Sequence, residues 1–266
     1  MCLLVFAYRM HPEYEFIFAG NRDEFYSRPS EVAKFWEENP DVLAGRDLVH
    51  GGTWLGITRS GRFATVTNYR QPGQKEGKRS RGRLVSDFLM TQKSPKEYLE
   101  DICASDYTGF NLLVGDFLAS EIAYFSNRED NLGAFRILQS GIYGLSNHLL
   151  DTEWHKVKRA KAFLEKALQR KEICPDELFR FLEDRTQADE SSLPNTGIGI
   201  ELEKLLSPIF VETPIYGTRC STVILLKKSG KLTFIERNHQ LKQEQKFTFM
   251  LDSSKSRSCN LKNSCF

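Results

Sequence analysis

Cys2 follows directly on the first methionine, and a small residue at that place permits removal of Met1. The mature chain would then start with a cysteine whose free α-amine, with a pKa of about 7.7–8.0, can serve as base for the thiol of the same residue. Nucleophile and base lie in one amino acid, and no histidine is needed. The plainer reading makes Cys2 a small apolar residue in an N-terminal strand. What favours chemistry is the run Asn21-Arg22-Asp23-Glu24-Phe25-Tyr26-Ser27-Arg28-Pro29, a burst of charge straight after an apolar segment. A solvated loop would account for it, yet a carboxylate buried beside guanidinium groups would also orient an amine and a thiol.

Other catalytic arrangements find no support. The histidines, His11, His50, His148, His155 and His239, form neither H-x-x-x-H nor H-E-x-x-H, so no metal site is expected. G-x-S-x-G is absent, which removes the α/β-hydrolase elbow. Gly51-Gly52-Thr53-Trp54-Leu55-Gly56 is neither G-x-G-x-x-G nor a Walker loop; it reads as a tight approach to a strand, with Trp54 packed in the core. Leu193-Pro194-Asn195-Thr196-Gly197 spells the L-P-x-T-G sorting pattern without the apolar span and basic end that such use requires, and reads as a loop.

A terminal nucleophile must be held rigidly, and the order of elements allows it. Residues 2–8 and 15–20 are apolar runs separated by His11-Pro12-Glu13, which predicts an N-terminal hairpin. Further strands are expected over 53–57, 62–67, 111–115, 122–126, 135–138, 221–227, 232–237 and 246–251, with Ser60-Gly61 and Ser229-Gly230 as turns. Val157, Ala160, Phe163, Leu164, Ala167 and Leu168 recur at helical spacing, Pro175 opens a second helix, and weaker helices cover 84–90 and the stretch from Pro95 to Ile102. The order predicts an α+β fold, in which hairpins build sheets and helices cover them. Arg70 to Arg83, with Lys75, Lys78, Arg79 and Arg81 between, reads as a solvated basic loop or a phosphate clamp beside a cleft. The tail 252–266 is expected to be disordered.

The 266 residues are 40% hydrophobic, 12% aromatic and 27% charged, the usage of an ordinary folded chain. Lys plus Arg number 37 against 35 for Asp plus Glu, so no chain-wide cationic footprint for nucleic acid exists. Six cysteines, at 2, 103, 174, 220, 259 and 265, form no CxxC pair. With no secretory signal and no apolar run long enough to span a bilayer, the expectation is a reduced, cytoplasmic location without a transmembrane segment.

The chain resembles the NRDE family, also called the transport and Golgi organisation protein 2 family. The resemblance is carried by Met1-Cys2, the Asn21 to Pro29 run, Gly45-Arg46-Asp47 with Gly51 to Gly56, Tyr143-Gly144-Leu145-Ser146-Asn147 and Tyr216-Gly217-Thr218-Arg219, with Arg81-Gly82 and Gly109 to Leu113 in support. It spans roughly residues 1–250 in order. It implies the N-terminal-nucleophile hydrolase type of fold: a four-layer α/β/β/α sandwich with two mostly antiparallel sheets, formed by residues 1–251 as one domain. Related bile-salt and penicillin V acylases attack with the N-terminal cysteine, position its amine with an aspartate, bind the oxyanion with asparagines and use a late arginine. By that resemblance Cys2 is the nucleophile, Asp23 the aspartate, Asn68 and Asn147 the asparagines and Arg219 the arginine. Asn21, Arg22, Glu24, Arg28 and Trp54 are supporting or binding residues. Those acylases place an arginine three residues before their aspartate; here that position is Gly20.

The function expected is hydrolysis of a linear amide or an acyl thioester, on a small-molecule acyl substrate and with no cofactor required. The alternative is a non-catalytic carrier for haem, a lipid or acyl-coenzyme A, a hydrophobic anion in each case, with Cys2, His148 or His50 as candidate iron ligands. A scaffold bound to a membrane surface through the basic loop is the weaker third reading.

Overall fold

Side chains of a strand alternate between faces, and in β1 (Cys2–Tyr8) both faces are apolar. Leu4, Phe6 and Tyr8 join one hydrophobic cluster while Leu3, Val5 and Ala7 join another. Such a strand must be covered on both sides, which calls for layers above and below it. The computed structural model describes residues 2–73, 77–129 and 134–255. Within them follow β2 (Tyr14–Phe25), β3 (Ser30–Phe35), β4 (Val42–Asp47), β5 (Leu55–Thr58), β6 (Arg62–Asn68), α1 (Arg81–Met90) and α2 (Pro95–Glu100). Next come β7 (Phe110–Asp116), β8 (Glu121–Ser126), β9 (Phe135–Ile137), β10 (Gly141–Leu145), α3 (His155–Ala167), α4 (Pro175–Leu182) and α5 (Ile200–Leu205). The chain returns to sheet in β11 (Tyr216–Lys227), β12 (Lys231–Asn238) and β13 (Gln243–Met250).

The strands form a six-stranded sheet in the order β10-β1-β2-β11-β12-β13 and a seven-stranded sheet in chain order from β3 to β9. Every pairing is antiparallel. Three apolar slabs separate four layers. Phe6, Phe16, Phe18, Phe63, Leu113 and Phe234 fill the space between the sheets. Val157, Ala160, Leu164, Leu178 and Phe179 pack α3 and α4 onto the first sheet; Leu84, Val85, Phe88 and Leu99 pack α1 and α2 onto the second. This is the expected α/β/β/α sandwich. Glu236 of β12 also bridges the sheets, accepting the Ala33 N–H at 2.7 Å, and burial pushes its carboxyl pKa up.

The elements differ from expectation mainly where sequence signals are thin. The charged run after residue 20 is no loop: β2 continues through it to Phe25. β11 starts at Tyr216, five residues ahead of the expected 221, because the Tyr216 to Cys220 stretch pairs with the same run. β3, β4 and β10 and the short α5 were not expected. Of the basic stretch, residues 74–76 lie outside the described residues, and Arg81 to Arg83 already belong to α1. Of the tail expected to be disordered, residues 256–266 lie outside them as well. Among the described residues no helix is long and apolar enough to cross a membrane.

Candidate active site

Residues paired directly across antiparallel strands point to the same face. Cys2 pairs with Arg22, Arg22 with Cys220 and Cys220 with Asn238, so four side chains from β1, β2, β11 and β12 stand in one row. That row floors a cleft of about 420 Å³, bounded opposite by Thr53, Trp54, Val66 and Asn68 and by the chain from Gly77 to Gly82. Cys2 is only 7% exposed. Burial pushes its thiol pKa up and the Asp23 charge adds to that, while the Arg22 guanidinium and the Asp23 backbone N–H, which donates to the sulfur, pull it down.

Strand geometry also sorts the charged run. Arg22 and Glu24 face the cleft, with 3.7 Å between guanidinium and carboxylate. Asn21 turns the other way: its Nδ2 donates to the Leu182 and Ile209 carbonyls at 2.8 and 2.9 Å, and its Oδ1 accepts from Ser221 Oγ at 2.6 Å. It holds the helical layer and the loop before β11 onto the sheet. Asp23, 3% exposed, accepts from Thr218 Oγ1 at 2.7 Å, and the Tyr216 hydroxyl donates to its backbone carbonyl at 3.0 Å. Burial pushes the Asp23 pKa up, against the pull of Lys156, of the Thr218 bond and of Arg22.

Asn68 ends β6 with its side chain on the cleft wall and no side-chain hydrogen bond among the described residues. Asn147 is fully buried and lies off that wall: its Nδ2 donates to the Asn68 carbonyl at 2.9 Å, and its own carbonyl accepts the Arg70 N–H at 2.7 Å. Ser146 beside it donates to the Cys2 carbonyl at 2.9 Å. One turn therefore ties the nucleophile strand to Asn68.

Arg219 lies inside β11, not ahead of the strand, as the extra residue of a bulge between the pairs Thr218↔Asp23 and Cys220↔Arg22. Bulges re-aim side chains beside functional sites. Here Nη1 donates to the carbonyls of Phe25 at 2.8 Å, Tyr26 at 3.3 Å and Arg28 at 2.7 Å, which fixes the bend after β2 along the cleft. Arg28 binds Asp47 through two hydrogen bonds of 2.9 and 2.8 Å, and this pair holds the Asp47 carboxyl below its usual range despite partial burial. Trp54, expected in the core, does both: it packs on the inter-sheet cluster and lines the cleft.

Arg81, expected only as one cation of the basic stretch, lines the cleft. It opens α1, donates to the Gly109 carbonyl at 3.2 Å and forms no ion pair among the described residues. Burial lowers its pKa, while Glu24 and Cys2 raise it. Its place at the cleft is set by the pair of glycine motifs. A Cβ on Gly52 would stand 2.5 Å from the Gly82 carbonyl carbon, so the two backbones touch there and set the start of α1 against the cleft.

Of the candidate iron ligands, Cys2 and His50 line the cleft. His148 does not; its Nε2 meets the Tyr69 hydroxyl at 2.7 Å and its Nδ1 the Thr152 hydroxyl at 2.9 Å. Among the described residues no group of three or more histidines, cysteines or carboxylates is placed to hold a metal ion. The arrangement can present a sheltered thiol to a carbonyl, with an amide and guanidinium groups around the reacting centre. The cleft walls are mostly charged or polar, and no phenylalanine among the described residues lines them.

A family model described as Transport and Golgi organisation 2 matches residues 1–240. The Transport and Golgi organization protein 2 homolog of Bos taurus is 39% identical over 258 residues, covering 90% of this chain and 93% of that protein. The Homo sapiens homolog is 38% identical over 258 residues with the same coverage. Among solved structures, a variant of conjugated bile acid hydrolase from Clostridium perfringens aligns with a TM-score of 0.54 at 13% identity, over 98% of this chain and 100% of that one. At that identity the likeness is one of fold, and the fold is the N-terminal-nucleophile hydrolase sandwich.

Proposed function

We propose that this chain, which belongs to the Transport and Golgi organisation 2 family, is a cysteine N-terminal-nucleophile hydrolase that cleaves a linear amide or an acyl thioester. The observation that carries the reading is Cys2 at the head of β1, on the floor of the cleft, with Arg22 in register beside it and the Asp23 N–H on its sulfur. His50, the one histidine on the cleft wall among the described residues, is exposed and hydrogen-bonded through its backbone to Asp47. The base in this reading is the α-amine that loss of Met1 uncovers.

In the reaction the α-amine takes the thiol proton and the thiolate attacks the substrate carbonyl carbon. The carbonyl oxygen becomes an oxyanion, for which the Asn68 amide is the donor, a contact of a kind that contributes roughly 2.7–4 kcal/mol to the transition state. Collapse of the intermediate breaks the bond to the leaving amine or thiol, which receives the proton from the ammonium. Water, deprotonated by the same amine, then cleaves the acyl-Cys2 thioester. Asn147 supports Asn68 by donating its Nδ2 to the Asn68 carbonyl, and Arg219 fixes the bend that carries Arg28.

The experiment is intact mass followed by a panel of acyl probes. The expected results are loss of Met1, an acyl adduct confined to Cys2, and loss of turnover in Cys2→Ala with the fold kept. Active protein that retains Met1 would overturn the mechanism. Absence of any acyl adduct, with a saturable haem absorbance shift that disappears in Cys2→Ala, would establish carriage instead.

A further inference from the structure

Most cations of the cleft are already answered. Arg28 pairs with Asp47, Arg46 with Glu38, Lys78 with Asp106 and Arg79 with Asp87, and Arg219 spends Nη1 on backbone carbonyls. Two guanidiniums are not spent. Arg22, 9% exposed, has Glu24 at 3.7 Å as its ion pair and no hydrogen bond among the described residues, although a guanidinium carries five N–H donors. Arg81 has no ion pair among them, and its side chain makes the one hydrogen bond to the Gly109 carbonyl. The backbone beside Arg81 is open as well. α1 is 10 residues long, its N-cap Ser80 makes no side-chain bond to the first turn, and that turn holds no acidic residue. The Arg81 and Gly82 N–H groups find no acceptor among the described residues. Such groups carry the positive end of the helix dipole and suit an anion. Ser80, Arg81 and Gly82 all line the cleft, across from the floor on which Arg22 stands beside Cys2. The acids of the same cleft limit the charge that fits. A dianionic phosphate would meet Glu24 and Asp47, whereas a carboxylate brings one charge for the unpaired Arg81 and two oxygens for its fork.

Resting on the hydrolase reading, we propose that the start of α1 is a carboxylate subsite of the cleft: the Arg81 guanidinium and the Arg81 and Gly82 N–H groups bind a carboxylate of the substrate, and Arg22 borders that subsite beside Cys2. The substrate class is then an amide or thioester that carries a carboxylate a few atoms from the carbonyl that Cys2 attacks. Residues paired across strands, as Cys2 and Arg22 are, stand about 4.5–5.5 Å apart at Cα, so an anion bordering Arg22 stays within a few bonds of that carbonyl. A long acyl chain finds little to match it, because among the described residues Trp54 and Val66 are the large apolar side chains of the cleft.

The test is protection of Cys2 from alkylation by iodoacetamide, read by peptide mass on the full chain at fixed pH and ionic strength, with the state of Met1 checked by intact mass. N-acetylglycine and succinamate carry a carboxylate on the leaving and on the acyl side of an amide, and N-acetylglycinamide and succinamide are their neutral counterparts. At least one of the acids is expected to slow alkylation at concentrations where its neutral counterpart does not. Arg81→Gln is expected to raise the half-protecting concentration of that acid about tenfold, the weight of one charge-assisted contact, and Arg81→Lys to recover part of it, since the charge is kept and the fork lost. Ser80→Asp puts a carboxylate of the chain itself on the start of α1. It is expected to raise the melting temperature and to abolish protection, a combination that a damaged fold cannot give. Equal protection by acids and neutral counterparts overturns the proposal, as does stronger protection by inorganic phosphate than by either acid. Protection unchanged in Arg81→Gln overturns it too; if that variant does not fold, protection unchanged in Ser80→Asp does the same. Protection needs no acyl transfer. A chain inert to acyl probes whose protection answers to Arg81 keeps the subsite and ends the hydrolase reading, and turnover of acyl probes without preference for a carboxylate ends the subsite alone.

Discussion

Arg219 shows how a residue named from a motif acquires a physical role. Its Nη1 serves three backbone carbonyls in the bend after β2, which a lysine ammonium can match in charge but not in forked geometry. Arg219→Lys should therefore lower stability by about 1 kcal/mol, the cost of losing hydrogen bonds to partly buried carbonyls, read as a shifted urea midpoint with an unchanged slope. Lys156, enclosed in the first turn of α3 with its Nζ donating to the Leu206 carbonyl at 2.9 Å, gives a prediction in pH. Its folded pKa of about 8 lies below the ordinary lysine value of 10.5, so between those values the unfolded chain binds more protons and stability rises with pH. Wild type should gain on Lys156→Met by on the order of 3 kcal/mol across that window, seen as converging or crossing melting curves above pH 8. Cys2 and Asp23 were legible in the sequence because an apolar run led straight into charge. The opposed roles of Asn21 and Arg22 were not, since they follow from continuing the strand through residues that resemble a loop. Lys156 looked like one lysine among several on the polar face of α3.

Between elements, close backbone approach does what side-chain contacts cannot. The Gly51–Thr53 turn meets the first turn of α1 with the Thr53 N–H on the Gly82 carbonyl at 3.2 Å, and Gly51 adopts φ +71°, where a side chain is strained. Gly52→Ala would drive its Cβ into that contact and should cost about 1–3 kcal/mol, as overpacking does. Because the displaced element begins with Arg81, the same variant should also change the Cys2 alkylation rate; an altered melting temperature with an unaltered rate would separate α1 from the site. Elements with strong periodicity were legible: α3, α4, β1 and the β11–β12 hairpin. β10 was not, because Gly-Ile-Tyr-Gly-Leu is short and broken by glycines, and its place beside β1 comes from pairing across the sheet. β3 mixes Ser, Glu and Lys as an edge strand can, which removes the apolar signal.

At the scale of the molecule, the site depends on which distant segments pair. The first sheet takes strands from residues 2–25, 141–145 and 216–250, and the Ser221 to Asn21 hydrogen bond joins residues 200 apart in sequence. Local pattern yields the α+β order but cannot choose β11 as the neighbour of β2; only the ordered motifs of the family resemblance linked the two ends. The same topology sets how the chain should unfold. Cys2 becomes accessible when β1 leaves β2 and β10, and β2 cannot leave β11 without opening the slabs on both faces, where Trp154 lies against the helices. Trp36 is buried with the second sheet and α1. Urea unfolding followed by tryptophan fluorescence and by the rise of the Cys2 alkylation rate above its folded-state value should therefore give one coincident transition, as expected of one cooperative unit. A rise in that rate completed well before the fluorescence change would show the nucleophile strand opening by itself, and the cleft would then be a separable substructure of the sandwich.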